Sequence, residues 1–189
     1  MASLDRYRKK RDFKRTPEPR GDRRRKSKEP MFVIQKHDAS SLHYDFRLEV
    51  DGALASWAVP KGPSTDPREK RLAMQVEDHP LSYGDFEGVI PKGSYGAGAV
   101  IVWDTGTYRN LTDKPMRRAL DDGHVTVWLE GKKIRGGYAL TRTGSDRGRE
   151  RWLLVKKNDD AADRRRRPVN TQPESVLSGK TVEEMAAGG

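Results

Sequence analysis

The alternation of polar and apolar residues is strictest in segment 43–50, which reads His43-Tyr44-Asp45-Phe46-Arg47-Leu48-Glu49-Val50. If this segment is a β-strand, its aromatic and aliphatic residues share one face and can pack into a core. The opposite face then carries an imidazole, a carboxylate and a guanidinium at successive positions, with His37 a few residues upstream. The pattern therefore predicts a strand with an apolar core face and an unusual polar face.

Further strand patterns flank this segment on both sides. Segment 31–35 leads into His37, and Asp51-Gly52 is a hairpin signal after which segment 53–59 returns. Further strand-like segments are 71–80, 99–103, 124–130, 133–142 and 151–157. Thr112 is a candidate N-cap for a single helix that runs to about residue 122, with Gly123 at its end. This pattern predicts a mainly all-β fold, a compact closed or nearly closed β-barrel of about eight strands with one short helix.

The positive charge is concentrated at the N-terminus. Residues 1–28 contain 13 Lys and Arg against 4 Asp and Glu, whereas residues 29–155 contain 18 of each, in a chain whose net charge is +10. We predict a basic, partly ordered arm (1–28), a barrel domain (29–157) and a flexible tail or linker (158–189). A basic arm beside a neutral body suits contact with a polyanion, although a merely solvated arm has the same composition.

Composition excludes several classes of site. The chain contains no cysteine, which rules out disulfides and thiolate metal ligands and fits a reducing compartment. No apolar run has the length needed to span a membrane, and the N-terminus lacks the apolar segment of a signal peptide. We therefore expect a soluble, cytoplasmic protein, and we separately expect it to be a monomer.

Two histidines and one aspartate lie close together in the pattern H-x5-H-x-D, formed by His37, His43 and Asp45. Two neutral imidazoles and a carboxylate are a suitable ligand set for a borderline divalent ion, and the adjacent Arg47 is a planar fork that suits phosphate. The same spacing also fits the polar outer face of an ordinary strand. A cupin-like or oxygenase-like iron enzyme shares the ligand set, but such a site has no need of the basic arm or of Arg47.

A second polar strand end lies in segment 71–80, where strict alternation places Arg71, Glu77 and His79 on one face. In a barrel with a polar interior mouth, this face and that of segment 43–47 are expected to converge. The glycine-rich segment 91–98 suggests a phosphate cradle, but it lacks the Lys-Ser/Thr ending and the following helix of a P-loop, which favours a bulge or tight bend.

Several separated segments together resemble one family. They are 37–49, Ser56-Trp57-Ala58-Val59-Pro60-Lys61-Gly62-Pro63, Val76-Glu77-Asp78-His79-Pro80, Tyr83-Gly84-Asp85-Phe86-Glu87-Gly88 and the arm segment 10–19. In this order they resemble the DNA 3′-phosphoesterase family, which comprises the phosphoesterase module of bacterial end-joining ATP-dependent DNA ligases and its free-standing homologues. The resemblance runs from about residue 7 to residue 157.

The resemblance implies a function and a role for each matching residue. Members use a divalent metal, preferably Mn²⁺, to remove a 3′-terminal ribonucleoside and then the remaining 3′-phosphate, which leaves a 3′-hydroxyl; Co²⁺ and Zn²⁺ are alternatives. By motif match, the metal ligands are His37, His43 and Asp45. The scissile phosphate is contacted by Arg47, His79 and Tyr83, with Lys61 and Arg71 in support. The residues that assist mainly the ribonucleoside step are Arg11, Asp12, Glu18, Gln35 and Glu77.

The resemblance also implies partners. The substrate is a DNA primer–template with a 3′-ribonucleotide or 3′-phosphate end, and DNA ligase, polymerase and Ku-type end-joining proteins are expected partners near the nucleoid. The alternative is a non-catalytic DNA-end-binding barrel that assists a ligase through its basic arm.

Overall fold

The alternating segment forms the second strand of a barrel in the computed structural model, which describes residues 3–21 and 29–188. The strands within these residues are β1 (Met31–Asp38), β2 (Leu42–Val50), β3 (Ala53–Val59), β4 (Lys70–Pro80), β5 (Gly88–Ile90), β6 (Gly98–Asn110), β7 (His124–Gly131), β8 (Arg135–Asp146) and β9 (Arg149–Lys156). The helices are α1 (Asp5–Lys9), α2 (Met116–Asp121), α3 (Pro168–Thr171) and α4 (Val182–Gly188), and a 3-10 helix spans Leu81–Asp85.

The strands close into an antiparallel barrel. Hydrogen-bonded strands follow one another around the barrel in the order β1-β2-β3-β4-β9-β8-β7-β6, and the pairing of β6 with β1 closes the barrel. Strand β5 is an addition that pairs with the beginning of β6. The predicted all-β barrel of about eight strands is confirmed. The sequence patterns did not reveal β5, because three residues are too few to display a period of two.

The barrel interior is apolar. It contains the inward residues of β2 predicted from the alternation, which are Tyr44, Phe46, Leu48 and Val50. Trp57 and Trp152 are fully buried beside them, with ring centroids 5.7 Å apart in an edge-to-face arrangement. Burial of each such side chain contributes about 1.5–3 kcal/mol, so this core supplies most of the stability. The expectation of a polar interior mouth is wrong.

The polar residues lie on the outer face of the barrel instead. Val33, Gln35 and His37 alternate with the core residues of β1, and Asp45 and Arg47 do so on β2. This outer face is covered by a second apolar cluster, whose members are Tyr7, Met31, Val33, Leu54, Tyr83, Phe86, Ile90, Val100 and Val102. Polar side chains on the outer face of strands are therefore buried by the arm and the 3-10 helix.

A bulge in β4 changes which residues of that strand face the cavity described below. Ser56 pairs with Val76, but Leu54 pairs with His79, so β4 carries one extra residue between these pairs. A bulge of this type re-aims the side chains that follow it. The expectation that Arg71 shares a face with His79 is therefore wrong, because alternation is interrupted between them.

The predicted helix is shorter than expected. Thr112 does not cap it, since the helix begins at Met116 after Pro115 and the Thr112 hydroxyl lies 3.4 Å from the Thr126 carbonyl oxygen. Gly123 does end the helix, with a φ of +87° and its N–H bonded to the carbonyl of Leu120. The prediction that the helix ends at Gly123 is thus confirmed, and the prediction that Thr112 is its N-cap is wrong.

The N-terminal arm packs against the outer face. In residues 3–21, the Tyr7 side chain is fully buried, and its ring centroid lies 5.0 Å from that of His79 and 5.9 Å from that of Tyr83. Residues 22–28 of the predicted basic arm (1–28) lie outside the described residues. The aromatic residue of the arm thus anchors it to the barrel.

The C-terminal segment, predicted to be a flexible tail or linker, contacts the barrel at several points. Trp103 Nε1 donates to the Gln172 carbonyl oxygen at 2.7 Å, and Lys133 Nζ donates to the same oxygen at 2.9 Å. Val182 of α4 is buried in a small apolar cluster on β6. Residues 158–188 are polar on average, but these few anchors, which composition does not reveal, attach the segment to the barrel.

None of the helices in the described residues is long and apolar enough to cross a membrane.

Asp104 offers a test of this account of the fold. Its fully buried carboxylate accepts backbone N–H groups from Thr105, Lys132, Lys133 and Ile134, at 2.8 to 3.2 Å. Asp104→Ala leaves these buried donors without partners, at about 1–3 kcal/mol each before relaxation, so we expect a loss of roughly 3 kcal/mol in the free energy of unfolding. Urea denaturation measures it. The exposed Asp121→Ala control should change by less than about 0.5 kcal/mol, and an equally small change for Asp104→Ala would contradict the assignment.

Candidate metal centre and phosphate site

A cavity of about 560 Å³ opens on the outer face of the barrel. Its walls are β1 to β4, the 3-10 helix, the N-terminal arm and the glycine-rich loop 91–97. Eight of the thirteen site residues predicted from sequence line it, and these are Arg11, His37, His43, Asp45, Arg47, Glu77, His79 and Tyr83. The two polar strand ends therefore converge as expected, although outside the barrel and not in its mouth.

The register of β1 and β2 assembles the candidate metal ligands. His37 is paired with His43, and Gln35 with Asp45, so all three ligand residues lie on one face of one hairpin, on rungs two residues apart. The imidazole centroids are 4.9 Å apart, and one donor atom from each of His37, His43 and Asp45 lies within 4.8 Å of the others. Opposed residues in an antiparallel pair have Cβ atoms about 5 Å apart, so local pairing is sufficient to build the trio.

Backbone carbonyls fix where each imidazole carries its hydrogen. His37 Nε2 lies 2.6 Å from the Gly96 carbonyl oxygen, and His43 Nδ1 lies 3.0 Å from that of Ser41. Because a carbonyl only accepts, these nitrogens are the donors, and the other ring nitrogens, His37 Nδ1 and His43 Nε2, face Asp45 at 3.4 and 3.2 Å. A proton or a metal cation between each of these nitrogens and the carboxylate makes the contact favourable. The donor set therefore fits a divalent metal, and the carbonyl contacts are typical of metal-ligating histidines.

The electrostatics of the trio also favour a cation. Burial alone raises the pKa of Asp45, but the charge of Arg47 and the hydrogen bonds of the two imidazoles outweigh it and hold that pKa well below its usual value. Burial lowers the pKa of His43, yet the hydrogen bond and charge of Asp45 outweigh this and raise it. The carboxylate is thus ionised. The lowered pKa of Asp45 and the raised pKa of His43 both show that this centre attracts positive charge.

Arg47 is fixed beside the trio. Its side chain is 3% exposed. Its Nε donates to Gln35 Oε1 at 2.7 Å, Nη1 donates to Ser56 Oγ at 2.9 Å, and Nη2 lies 3.6 Å from Asp45 Oδ2. The guanidinium also lies 4.9 Å from the centroid of the Tyr83 ring. A guanidinium fixed on several sides in this way is preorganised for an oxyanion in the cavity.

Gln35 and Glu18 support the site from outside the cavity. Gln35 Nε2 donates to the carbonyl oxygens of Tyr83 and Phe86 at 2.8 and 3.1 Å. Glu18 accepts from Arg11 Nε at 2.8 Å and from the Tyr83 hydroxyl at 2.7 Å. Burial and the nearby charge of Glu18 raise the pKa of Tyr83 well above 10.0, so the phenol remains protonated and donates to Glu18.

His79 is neutral in this arrangement. Its Nδ1 donates to the Glu77 carbonyl oxygen at 2.9 Å, which leaves Nε2 as an acceptor 3.4 Å from Arg11 Nη2. Burial, followed by the charges of Arg47 and Arg11, lowers the pKa of His79 well below 6.5. The protein without substrate therefore presents an imidazole and not an imidazolium.

The arm contributes two cations to the rim of the cavity. Lys10 Nζ lies 3.0 Å from Glu77 Oε2, and Arg11 Nη1 lies 3.8 Å from Glu77 Oε1. The Arg11 guanidinium also packs 4.0 Å from the centroid of the Tyr7 ring. The α1 helix and its buried tyrosine thus position Arg11 next to His79.

The other three predicted residues that do not line the cavity are Asp12, Lys61 and Arg71. Asp12 accepts a backbone hydrogen bond within the arm, and Lys61 is exposed in the turn after β3. Arg71 lies two residues before the core residue Ala73 on β4 and therefore lies on the same face of the strand as Ala73. Its Nη2 lies 3.6 Å from Glu69 Oε2. The roles expected for these residues remain predictions.

Sequence reasoning missed two contributions to the site. The loop 91–97 was interpreted as purely structural, yet its Gly96 carbonyl orients His37, and Tyr95 lines the cavity. Ser56, paired with Arg47 across β2 and β3, bonds the guanidinium. A serine within the otherwise apolar segment 53–59 was the available signal, whereas no pattern predicts the partner of a loop carbonyl.

Comparison with known proteins identifies a family and several relatives of this chain. The family described as DNA Ligase D 3′-phosphoesterase domain matches residues 35–142. The multifunctional non-homologous end joining protein LigD of Pseudomonas aeruginosa is 52% identical over 183 residues, which cover 95% of this chain and 22% of that protein. The LigD proteins of Mycobacterium tuberculosis and Mycolicibacterium smegmatis are 50% and 40% identical over 79% and 97% of this chain.

The chain spans less than a quarter of the length of these relatives. The family match, in contrast, covers more than half of this chain and includes the two imidazoles, the carboxylate, Arg47 and His79. This chain therefore belongs to the DNA ligase D 3′-phosphoesterase domain family.

Proposed function

We propose that this protein is a metal-dependent phosphoesterase that processes the 3′ ends of DNA. It removes a 3′-terminal ribonucleoside to leave a 3′-phosphate, and it removes that phosphate to leave a 3′-hydroxyl. The observation that carries the proposal is the pair of imidazoles that each turn one ring nitrogen toward the same buried carboxylate, directly beside the fixed guanidinium of Arg47. The family membership supports the same reaction class.

The metal is proposed to be Mn²⁺, with Co²⁺ and Zn²⁺ as alternatives, held by His37, His43 and Asp45. Nitrogen and oxygen donors of this kind suit all three ions. When bound, the ion supplies Lewis acidity that stabilises charge on the phosphoryl oxygens. Mn²⁺ binding therefore needs both imidazoles in the neutral state and Asp45 ionised.

The protein's own residues orient and stabilise the phosphate. Arg47 presents a guanidinium whose position Gln35 and Ser56 have already fixed, so no reorganisation is needed as charge develops on the phosphate. Arg11 reaches the same cavity from the arm. The Tyr83 ring packs against Arg47, while its hydroxyl, bonded to Glu18, joins the arm to the 3-10 helix.

His79 acts from its neutral form. Before substrate binds, its Nε2 is an acceptor that faces Arg11. The charge of an incoming phosphate raises the pKa of an adjacent imidazole. Nε2 then holds a proton that it can donate to a phosphate oxygen or to the leaving oxygen.

The substrate is proposed to be a primer–template with a 3′-ribonucleotide or 3′-phosphate. Since the relatives are named as end-joining proteins, we propose DNA ligase, polymerase and Ku-type proteins as partners, acting with a monomer of this chain near the nucleoid in the cytoplasm.

Removal of one metal ligand tests the metal centre. His43→Ala should reduce phosphate release from a 3′-phosphorylated DNA strand by about a hundredfold to a thousandfold, because one lone pair of the trio is lost. Calorimetric titration with Mn²⁺ should show a matching loss of affinity, and chelation of the wild type should abolish turnover.

The matched control is His124→Ala, since His124 is exposed and bonds Thr141 far along the chain from the trio. Normal turnover and Mn²⁺ affinity in His43→Ala would exclude the assigned ligands. Binding of DNA ends without any manganese-dependent cleavage would favour the non-catalytic end-binding alternative.

Arg47→Lys tests the fork geometry. Lysine retains the charge but loses the hydrogen bonds to Gln35 and Ser56, so we expect kcat/KM to fall by about a hundredfold with Mn²⁺ affinity retained. Steady-state kinetics on both 3′ ends measures the change. Arg109→Lys, which alters an exposed arginine near Trp128, should have no effect. Full activity in Arg47→Lys would mean that charge alone is needed.

The neutral state of His79 has a consequence for stability. Its folded pKa lies well below the unfolded value near 6.5, so below pH 6.5 the unfolded chain binds a proton that the native protein does not. The contribution of His79 to the free energy of unfolding is therefore fully present above pH 6.5. Below pH 6.5 it declines by about 1.4 kcal/mol for each pH unit. The difference in unfolding free energy between wild type and His79→Asn should narrow accordingly between pH 7 and pH 5. A constant difference would indicate an imidazolium in the native state.

A further inference from the structure

Tyr95 differs from every other tyrosine of the chain. It keeps 47% of its surface exposed, whereas the other five are at most 2% exposed. It also lines the same cavity as the trio of His37, His43 and Asp45. A large aromatic ring left open at the edge of a phosphate-binding cavity is unusual, because such rings are ordinarily buried, and an exposed one often marks a binding surface.

The loop that carries Tyr95 is fixed to the metal centre. The carbonyl of the next residue, Gly96, accepts from His37 Nε2 at 2.6 Å. Gly93 and Gly96 have φ values of +86° and +75°, which other residues rarely adopt, so these glycines permit the tight course of the loop. A Cβ at Gly96 would lie 3.3 Å from the His37 ring. The backbone that carries the phenol ring is therefore attached directly to one of the proposed metal ligands.

Cations accompany the ring. Lys10 Nζ lies 4.6 Å from the ring centroid and 3.3 Å from the hydroxyl oxygen, and the Arg11 guanidinium carbon lies 5.6 Å from the centroid. Leu42 is an apolar residue that lines the same cavity and is also 47% exposed. An aromatic ring beside cations is the arrangement with which proteins bind unpaired nucleotides, whose bases stack while their phosphates meet the charges.

We infer that Tyr95 is a stacking platform for the nucleobase of a nucleotide that adjoins the scissile phosphate. The ring contacts the face of the base, Lys10 and Arg11 lie beside the ring, and the phosphate reaches Arg47 and the trio. This inference rests on the proposed function, and it assigns a substrate-contacting role to a residue outside the predicted site. Stacking tolerates any base, so Tyr95 contributes affinity and position but not sequence preference.

A substrate-and-variant cycle tests the platform. The wild type, Tyr95→Ala and Tyr95→Phe are compared on primer–templates that carry a 3′-ribonucleotide with its base, with an abasic terminal sugar, or with an abasic penultimate sugar. Tyr95→Ala should lower kcat/KM on the complete substrate by about tenfold to a hundredfold, mainly through KM, and Tyr95→Phe should restore it. On one of the abasic substrates the Ala variant should equal the wild type, and that substrate identifies which base stacks.

The outcomes separate the inference from the proposed function. Equal losses on all three substrates would indicate a loop effect and overturn the platform, as would an unchanged rate in Tyr95→Ala. Leu111→Ala, which removes another large exposed residue outside the cavity, should match the wild type throughout. If the wild type cleaves none of the substrates, the proposed function fails. In that case, fluorescence anisotropy measures the affinity for the same DNA ends and tests whether Tyr95 is a stacking platform. The wild type should bind the base-bearing end about tenfold more tightly than the abasic end.

Discussion

The site depends on the burial of one carboxylate outside the barrel core. Asp45 is 6% exposed and ionised, which is costly unless its charge is compensated. The imidazoles of His37 and His43 and the guanidinium of Arg47 provide that compensation. Each of these partners is in turn fixed by a carbonyl, an amide or a hydroxyl, so the polar network extends outward until it reaches backbone groups.

Stability and chemistry are thereby separated between the two faces of the same strands. The interior is a largely apolar core that includes Trp57 and Trp152, and the charged groups of the site lie outside it. The outer face contains the charges, and the arm and the 3-10 helix cover it through Tyr7 and Tyr83. Substitutions on the outer face can therefore change the chemistry without opening a cavity in the barrel core, whereas loss of the arm would expose the charged network to water.

The sequence predicted what depends on local periodicity. Alternation predicted that Asp45 and Arg47 share one face, because side chains along a strand alternate with a period of two. The same alternation revealed most of the strands, and their number predicted an all-β barrel. It failed where that period is interrupted, since a single extra residue in β4 separates the orientation of Arg71 from that of His79. Contacts between distant loops, such as that of Gly96 with His37, leave no periodic trace at all.

The charge balance of the cavity also gives a physical reason for a metal in the proposed reaction. Arg11 lies against Glu18, Lys10 against Glu77 and Arg47 against Asp45, so these cations are already matched by carboxylates. A phosphate entering this cavity would have to compete with those carboxylates for the same donors. A divalent ion at the trio adds positive charge beyond that of Arg149, which also lines the cavity, so on the proposed function the fixed cations orient the phosphate while the ion strengthens the attraction.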